Sequence, residues 1–432
     1  MSRRFEDTDV LELPLGFSKR AERRASDFAQ EVSDFAKFGQ RTQQSVTRAQ
    51  TFSGEPISVP SFINEFWTAK QRDANSLHEI SYRACFKPQL PRFFIERLTN
   101  PGERVYDPFM GRGTTPLEAA LLGRVPIGCD VNPLSSVLVR PRLNPPALRE
   151  VEKRLAEIPF ADPDEFPEEL LVFYHPDTLA QIVSLKKYLL QRRKLYALDA
   201  ADDWICLLAL NRLTGHSPGF FSVYTMPPNQ AVSVKSQTKI NQRRRQTPPR
   251  RDVPALILKK SRQLLKHCTT STRHGLAKVA AQSLLVTGPS CSTPEIASSS
   301  IALVVTSPPF LNIVDYATDN WLRCWFIGID AKTVRLTVPR KLDAWQKEMT
   351  AVFKELHRVL RPGGHVAFEV GELDRGKIRL EEAVLPCGLA AGLTPVLVLI
   401  NSQKFTKTAN CWGVDNNAKG TNTNRIVLFR KE

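Results

Sequence analysis

Arg104-Val105-Tyr106-Asp107-Pro108-Phe109-Met110-Gly111-Arg112-Gly113-Thr114-Thr115, with Pro116-Leu117-Glu118-Ala119-Ala120-Leu121-Leu122 behind it, reads as a strand, a glycine turn and the first turns of a helix. Gly111 and Gly113 allow positive φ and let backbone N–H groups come close to a ligand. The amino end of the helix after Thr114 favours a carboxylate or another anion. A second strand, Arg124-Val125-Pro126-Ile127-Gly128-Cys129, ends in Asp130. An acid at that tip suits the two hydroxyls of a ribose in a nucleoside crevice. It suits equally the cap of a helix, with Asn132-Pro133 opening the next turn.

Further along, Ile301-Ala302-Leu303-Val304-Val305 is an apolar run of the kind that forms a fully buried strand. It ends in Thr306-Ser307-Pro308-Pro309-Phe310. Proline fixes φ and has no N–H, so the carbonyls of Ser307 and Pro308 stand outside any helix or ladder. The Ser307 hydroxyl and a proline carbonyl can accept both protons of an exocyclic amine while Phe310 stacks on the heterocycle. Taken alone, the same run is a proline-rich turn after a core strand.

Together the two segments resemble the DNA amino-methyltransferases, the N4-cytosine and N6-adenine family, which use S-adenosylmethionine to methylate an exocyclic amine. Asp107 to Thr115 is similar to the family's cofactor motif and Thr306 to Phe310 to its catalytic motif, in unpermuted order. The likeness extends to Ser76–Tyr82 and Phe86–Pro91 ahead of the cofactor loop, to Leu356–Gly364 before a fifth strand at His365–Val370, and to Asn422–Phe429 as the last strand. It implies an α/β, Rossmann-like S-adenosylmethionine-dependent methyltransferase fold. It also implies that Asp107, Phe109, Gly111, Gly113, Thr114, Thr115, Asp130 and Asn132 hold the cofactor, and that Ser307, Pro308, Pro309 and Phe310 hold a flipped base. In this family an acid or Asn before Pro-Pro usually accompanies adenine methylation and Ser accompanies N4 methylation of cytosine. Ser307 therefore points to cytosine, with N6-adenine as the alternative. An RNA amino-methyltransferase and a non-catalytic DNA-binding regulator are further readings. The chain departs from the family at Val286-Thr287-Gly288-Pro289-Ser290, which lacks the acid that often reads the cofactor's adenine. Either Ser290 or backbone and apolar contacts take that task.

The chain has 432 residues and 42% hydrophobic content, enough for a sizeable core. No run approaches the roughly 18 to 20 apolar residues needed to cross a bilayer, and Met1-Ser2-Arg3-Arg4-Phe5-Glu6-Asp7 has no apolar signal core. A cytoplasmic, DNA-associated protein is expected. The eight cysteines form no Cys-x-x-Cys pair, which argues against a disulfide framework or zinc knuckle. His267-Cys268 with His274 lacks a fourth metal ligand at sensible spacing, and no metal site is expected.

The net charge of +16 favours a polyanionic partner, here double-stranded DNA. Lys235, Lys239, Arg243, Arg244, Arg245, Arg250 and Arg251 face only Asp252 over the same stretch and read as a basic, DNA-binding loop. Asn229, Gln230, Gln237, Asn241, Gln242 and Gln246 have side chains suited to base edges, and to loops equally. Phe220, Phe221 and Tyr224 read as core. Alternating strand and helix patterns predict a mostly parallel sheet with helices on both faces. The connection from Asp130 to Ser307 is too long for an uninterrupted sheet and predicts a large inserted helical and loop domain. The expected organisation is a polar arm over 1–55 carrying a helix around Lys19 to Phe38, the cofactor half of the methyltransferase domain over 56–145, a DNA target-recognition insertion over 146–280, and the catalytic half over 281–432. Any restriction endonuclease acting on the same site would be a separate chain.

Overall fold

The computed structural model describes residues 25–68, 74–82, 85–160, 167–226, 231–309, 316–334, 339, 341–373, 378–402 and 423–432. Its strands are β1 (Gln43–Gln50), β2 (Pro56–Asn64), β3 (Arg104–Asp107), β4 (Val125–Asp130), β5 (Leu284–Thr287), β6 (Ile301–Thr306), β7 (Leu360–Val370), the short pair β8 (Glu372–Leu373) and β9 (Ile378–Arg379), β10 (Thr394–Ser402) and β11 (Thr423–Arg430). Nine of them form one sheet in the order β1-β2-β10-β11-β7-β6-β3-β4-β5. From β7 to β5 all pairings are parallel, β11 lies antiparallel between β7 and β10, and β10 runs parallel to β2.

The helices are α1 (Ala25–Ser33), α2 (Gln89–Leu98), α3 (Thr114–Leu121), α4 (Leu134–Leu143), α5 (Leu148–Glu157), α6 (Pro176–Lys194), α7 (Ala200–Arg212), α8 (Val234–Arg244), α9 (Val253–Leu264), α10 (Thr270–Ala280), α11 (Tyr316–Ile327), α12 (Leu342–Val359) and α13 (Leu380–Ala390). Strand residues alternate between two helical layers. Tyr106, Val304, Val366 and Phe368 pack with α12 and α13, while Val105, Leu303, Val305 and Ala367 pack with α1 and α2. Burial on both faces is why β6 reads as an unbroken apolar run. β3 and β6 are neighbours, with Val105 opposite Leu303 and Tyr106 opposite Val304. From β3 the chain winds one way to β4 and the other to β6, so a crevice opens beyond the carboxyl ends of these strands.

Three expectations change. Residues 25–55, expected as part of a polar arm, are built into the domain. Phe28 and Val32 of α1 are core, and β1 extends the sheet antiparallel to β2. Residues 234–244, expected as a basic loop, form α8, because Lys, Gln and Arg are good helix formers and the Ser233 hydroxyl caps the first turn by accepting from the Ser236 N–H at 3.2 Å. The stretch 146–280 supplies α5 to α10, and these helices share one core with the cofactor half. Val151, Trp204 and Ile257 belong to the same cluster as Leu117, Leu138 and Val139. As expected, Phe220 and Phe221 are buried. Among the described residues no helix is long and apolar enough to cross a membrane.

Candidate active site

Two strand tips meet at the crevice and are bonded to each other. The Thr306 hydroxyl, at the end of β6, donates to Asp107 Oδ1 at 2.6 Å, and the Phe109 N–H donates to the same oxygen at 3.0 Å. Thr115, in the first turn of α3, donates its hydroxyl to the Val305 carbonyl at 3.0 Å. The glycine turn and the Ser-Pro-Pro ledge are thus joined twice, close to where each begins. Asp107 is fully buried, and burial pushes its carboxyl up to about 7. The Thr306 and Phe109 bonds pull it back, and the nearby Asp130 charge pushes the same way as burial.

Asp130 closes the other side of the turn. Its Oδ2 accepts from the Gly111 N–H at 2.8 Å and its Oδ1 from the Asn132 N–H at 2.9 Å. Asn132 in turn accepts from the Leu134 N–H at 3.0 Å, at the start of α4. Asp130 thus ties the glycine turn to the segment ahead of α4 through two backbone donors, one on each carboxylate oxygen. Burial raises the Asp130 carboxyl, against the pull of the Asn132 and Gly111 bonds.

The glycines are required here. Gly111 has φ +47° and Gly113 has φ +77°, and a Cβ added at Gly113 would overlap Cγ2 of Val139. Gly113 offers no side-chain cap to α3, so the amino end of that helix faces the turn uncapped by a side chain. Positive-φ glycines, an uncapped helix end and the Asp130 tip make a cradle that fits S-adenosylmethionine. Asp130 would take the ribose, and the α3 end would take the carboxylate.

The segment ahead of the cofactor loop is clamped onto the turn by two arginines. Arg112 donates to the Ile80 carbonyl at 3.0 Å and to the Thr114 hydroxyl at 3.2 Å. Arg142, fully buried, donates to the carbonyls of Leu138, Leu77 and Arg112. His78, also buried, bonds Glu118 of α3 at 2.7 Å, and Arg92 of α2 reaches the other oxygen of Glu118 at 2.6 Å.

On the ledge, the Ser307 side chain lies close enough to the carboxyl of Glu369, on β7, to pull its pKa down. Asn424 of β11 donates to Glu369 Oε1 at 2.8 Å. Burial pushes the Glu369 carboxyl up, and Ser307 and Asn424 oppose it. A serine hydroxyl beside a carboxyl has oxygen lone pairs with which to accept from an amine. The Pro309 carbonyl is taken from below by the Trp345 indole N–H at 3.2 Å, which leaves the Ser307 oxygen and the Pro308 carbonyl as the ledge's acceptors. Phe310 lies outside the described residues. Glu369, Asn424, Trp345 and Arg142 were not found from sequence. Each acts on a partner more than thirty positions away or through a backbone carbonyl, which no local motif announces. Ser290 is buried beside the β4 tip, where the Gly288 N–H donates to the Asp130 carbonyl at 3.0 Å. His267 accepts from the Ser76 N–H at 3.2 Å and so serves the fold.

The basic residues divide into two groups. Lys235, Lys239 and Arg243 recur every fourth position on the exposed side of α8. Arg244 lies over the Tyr224 ring at 3.8 Å, Arg245 ends the helix at φ 48°, Arg250 pairs with Asp177 at 3.0 Å, and Arg251 exchanges backbone bonds with the Thr178 hydroxyl. Three amides named for base edges are used internally instead. Gln237 and Gln246 both donate to the Tyr224 carbonyl and to Asn241, and Asn241 donates to the Val172 carbonyl. Gln242 remains exposed, and Asn229 and Gln230 lie outside the described residues.

A sequence profile of the N6/N4 DNA methylases, described as DNA methylase, matches residues 12–135. The type II methyltransferase M.BsoBI of Geobacillus stearothermophilus is 23% identical over 327 residues, 67% of this chain and 58% of that protein. M.MjaII of Methanocaldococcus jannaschii, also a type II methyltransferase, is 32% identical over 77 residues, 18% of this chain and 14% of the relative. This chain thus spans less than two thirds of the length of these relatives. Among solved structures, the rRNA methyltransferase aviRa of Streptomyces viridochromogenes aligns over 82% of this chain and 89% of its own, at 14% identity and a TM-score of 0.32. In its glycine turn, its Ser-Pro-Pro ledge and these sequence matches, the chain is similar to the N6/N4 DNA methylases.

Proposed function

We propose that the chain methylates the exocyclic N4 amine of a cytosine flipped out of double-stranded DNA, with S-adenosylmethionine as donor. The observation that carries this reading is the junction of the two strand tips. Asp107 and Thr306 hold the cofactor turn and the serine ledge side by side, and Glu369 stands behind Ser307. S-adenosylmethionine supplies an electrophilic methyl group and a positive charge that disappears on transfer. The chain supplies position and electrostatics. The base must leave the stack, because its amine is otherwise engaged in pairing. The Ser307 oxygen and the Pro308 carbonyl accept the two amine protons and turn the nitrogen lone pair out of conjugation, toward the donor. The proton released from nitrogen passes to Ser307 as Ser307 gives its own to the Glu369 carboxylate. Burial raises the basicity of that carboxylate.

A serine in this position, where the resembled family usually carries an acid or Asn for adenine, favours cytosine over adenine. The stripe of Lys235, Lys239 and Arg243 on α8 is assigned to DNA phosphates, with Arg244, Arg245, Arg250 and Arg251 supporting that surface from its edges. The matched relatives are type II methyltransferases, so the proposal includes a modification role beside a separate endonuclease. Label transfer from S-adenosylmethionine to duplex DNA, RNA and protein tests the reading. Transfer to DNA that Ser307→Ala abolishes while cofactor binding persists is expected. Transfer unaffected by that change would remove the ledge from the mechanism.

A further inference from the structure

β1 is the outer strand of the sheet, and among the described residues no strand pairs with its free edge. Sheet edges are ordinarily guarded by lysine, proline or a bulge. Gln43–Gln50 has no Lys or Pro, and its register to β2 runs unbroken from Gln43 opposite Ile63 to Gln50 opposite Pro56. Three of the five large hydrophobic residues exposed among the described residues flank this edge or lie on it: Phe38 at 40%, Val46 at 53% and Phe52 at 58%.

Two prolines decide which backbone groups point outward. Val46 lies opposite Pro60 and Gln50 opposite Pro56. Proline cannot donate a ladder bond, so the β1–β2 bonds run through Gln43, Ser45, Thr47 and Ala49. The N–H and C=O groups of Gln44, Val46, Arg48 and Gln50 then face away from the sheet, unused by β2.

We propose that this edge pairs with the same edge of a second copy of the chain, antiparallel about a two-fold axis at Val46. In that register Val46 exchanges both backbone bonds with its own symmetry mate, Gln44 faces Arg48, and Gln50 faces Thr42. No like charges oppose each other. Continued past the strand ends, the same register brings Phe52 of each copy toward residues 38 to 40 of the other, where Phe38 stands exposed. A contact of this kind uses one patch on both copies and closes on itself, giving a dimer with a continuous sheet. It is small beside an obligate interface, so the dimer depends on concentration.

Sedimentation velocity of the full chain from about 1 to 100 µM reads this directly, since a weak dimer forms by mass action. Val46→Pro removes only an outward N–H and spares the β1–β2 ladder. It should leave the fold, checked by circular dichroism, and abolish the dimer. Val46→Cys places two thiols at an antiparallel pair about 5.5 Å apart at Cα, within disulfide range. On mild oxidation it should give a cross-linked dimer absent from the native chain and from Gln50→Cys. A native chain that stays monomeric over the whole range, a V46P dimer as strong as the native one, or cross-linking of Q50C as ready as that of V46C would each overturn the proposal.

Discussion

Gly113→Ala should cost the fold several kcal/mol, and the structure separates the loss into two parts. The first is backbone: φ is +77° at this position, and the left-handed region costs an L-residue about 1–2 kcal/mol. The second is packing: the new methyl would overlap Cγ2 of Val139, with Cγ1 and Cβ of the same side chain at 3.2 Å. Val139 is itself buried in the core that joins α4 to α3, so it has little room to yield, and overpacking of this kind costs about 1–3 kcal/mol. The sum is about 2–5 kcal/mol against a typical total stability of about 5–15 kcal/mol. Urea unfolding of four proteins (native, Gly113→Ala, Val139→Ala and the double variant) measures both parts. Removing the Val139 γ-carbons should recover the packing part and leave the backbone part. The double variant should therefore be at least about 1 kcal/mol more stable than additivity allows. Strict additivity, or a Gly113→Ala loss below about 0.5 kcal/mol, the range of ordinary surface changes, would refute the claim that the turn must be glycine because of Val139 and its own φ.

Three further outcomes follow from the same geometry. Glu369→Gln should lower turnover by about 100-fold, the low end for loss of a proton acceptor, without weakening cofactor binding. The native rate should rise with pH through the raised Glu369 pKa and the variant's rate should not, so matching pH profiles would exclude the relay. Asp107, at 3.8 when unfolded and about 7 when folded, favours the fold most below pH 4, and that contribution is lost as pH rises to about 7. Its size is on the order of 4 kcal/mol at most, at 1.36 kcal/mol per pKa unit. Asp107→Asn should therefore gain stability relative to the native chain between pH 5 and 8, and parallel urea midpoints across that range would count against the buried-acid reading. Replacing Lys235, Lys239 and Arg243 together by Gln should reduce the slope of log affinity for DNA against log salt by up to about 3, near 0.9 per phosphate contact. An unchanged slope would return those charges to solvent.

The sheet's centre was legible because burial on both faces writes itself as unbroken apolar runs, and because Asp107, Asp130 and Thr306 stand at the ends of such runs. The glycine turn was legible for a similar reason, since Gly111 and Gly113 sit where a left-handed backbone is needed. β1 was not, because Gln43–Gln50 buries only Thr47 fully and lacks the alternation of a core strand. α8 was misread because seven basic residues in a short span suggest a solvated loop, whereas Lys and Arg propagate helices well. The pairings of Glu369 with Ser307 and of Arg142 with the Leu77 and Arg112 carbonyls join positions far apart in the chain, so no spacing rule reveals them.

The central claim is that one crevice holds a methyl donor against the amine of a base pinned by Ser307. Mass spectrometry of nucleosides from duplex DNA incubated with the chain and S-adenosylmethionine tests it most directly. The account predicts N4-methylcytosine. N6-methyladenine would contradict the reading of Ser307, and DNA without any methylated base would contradict the crevice as a site of transfer.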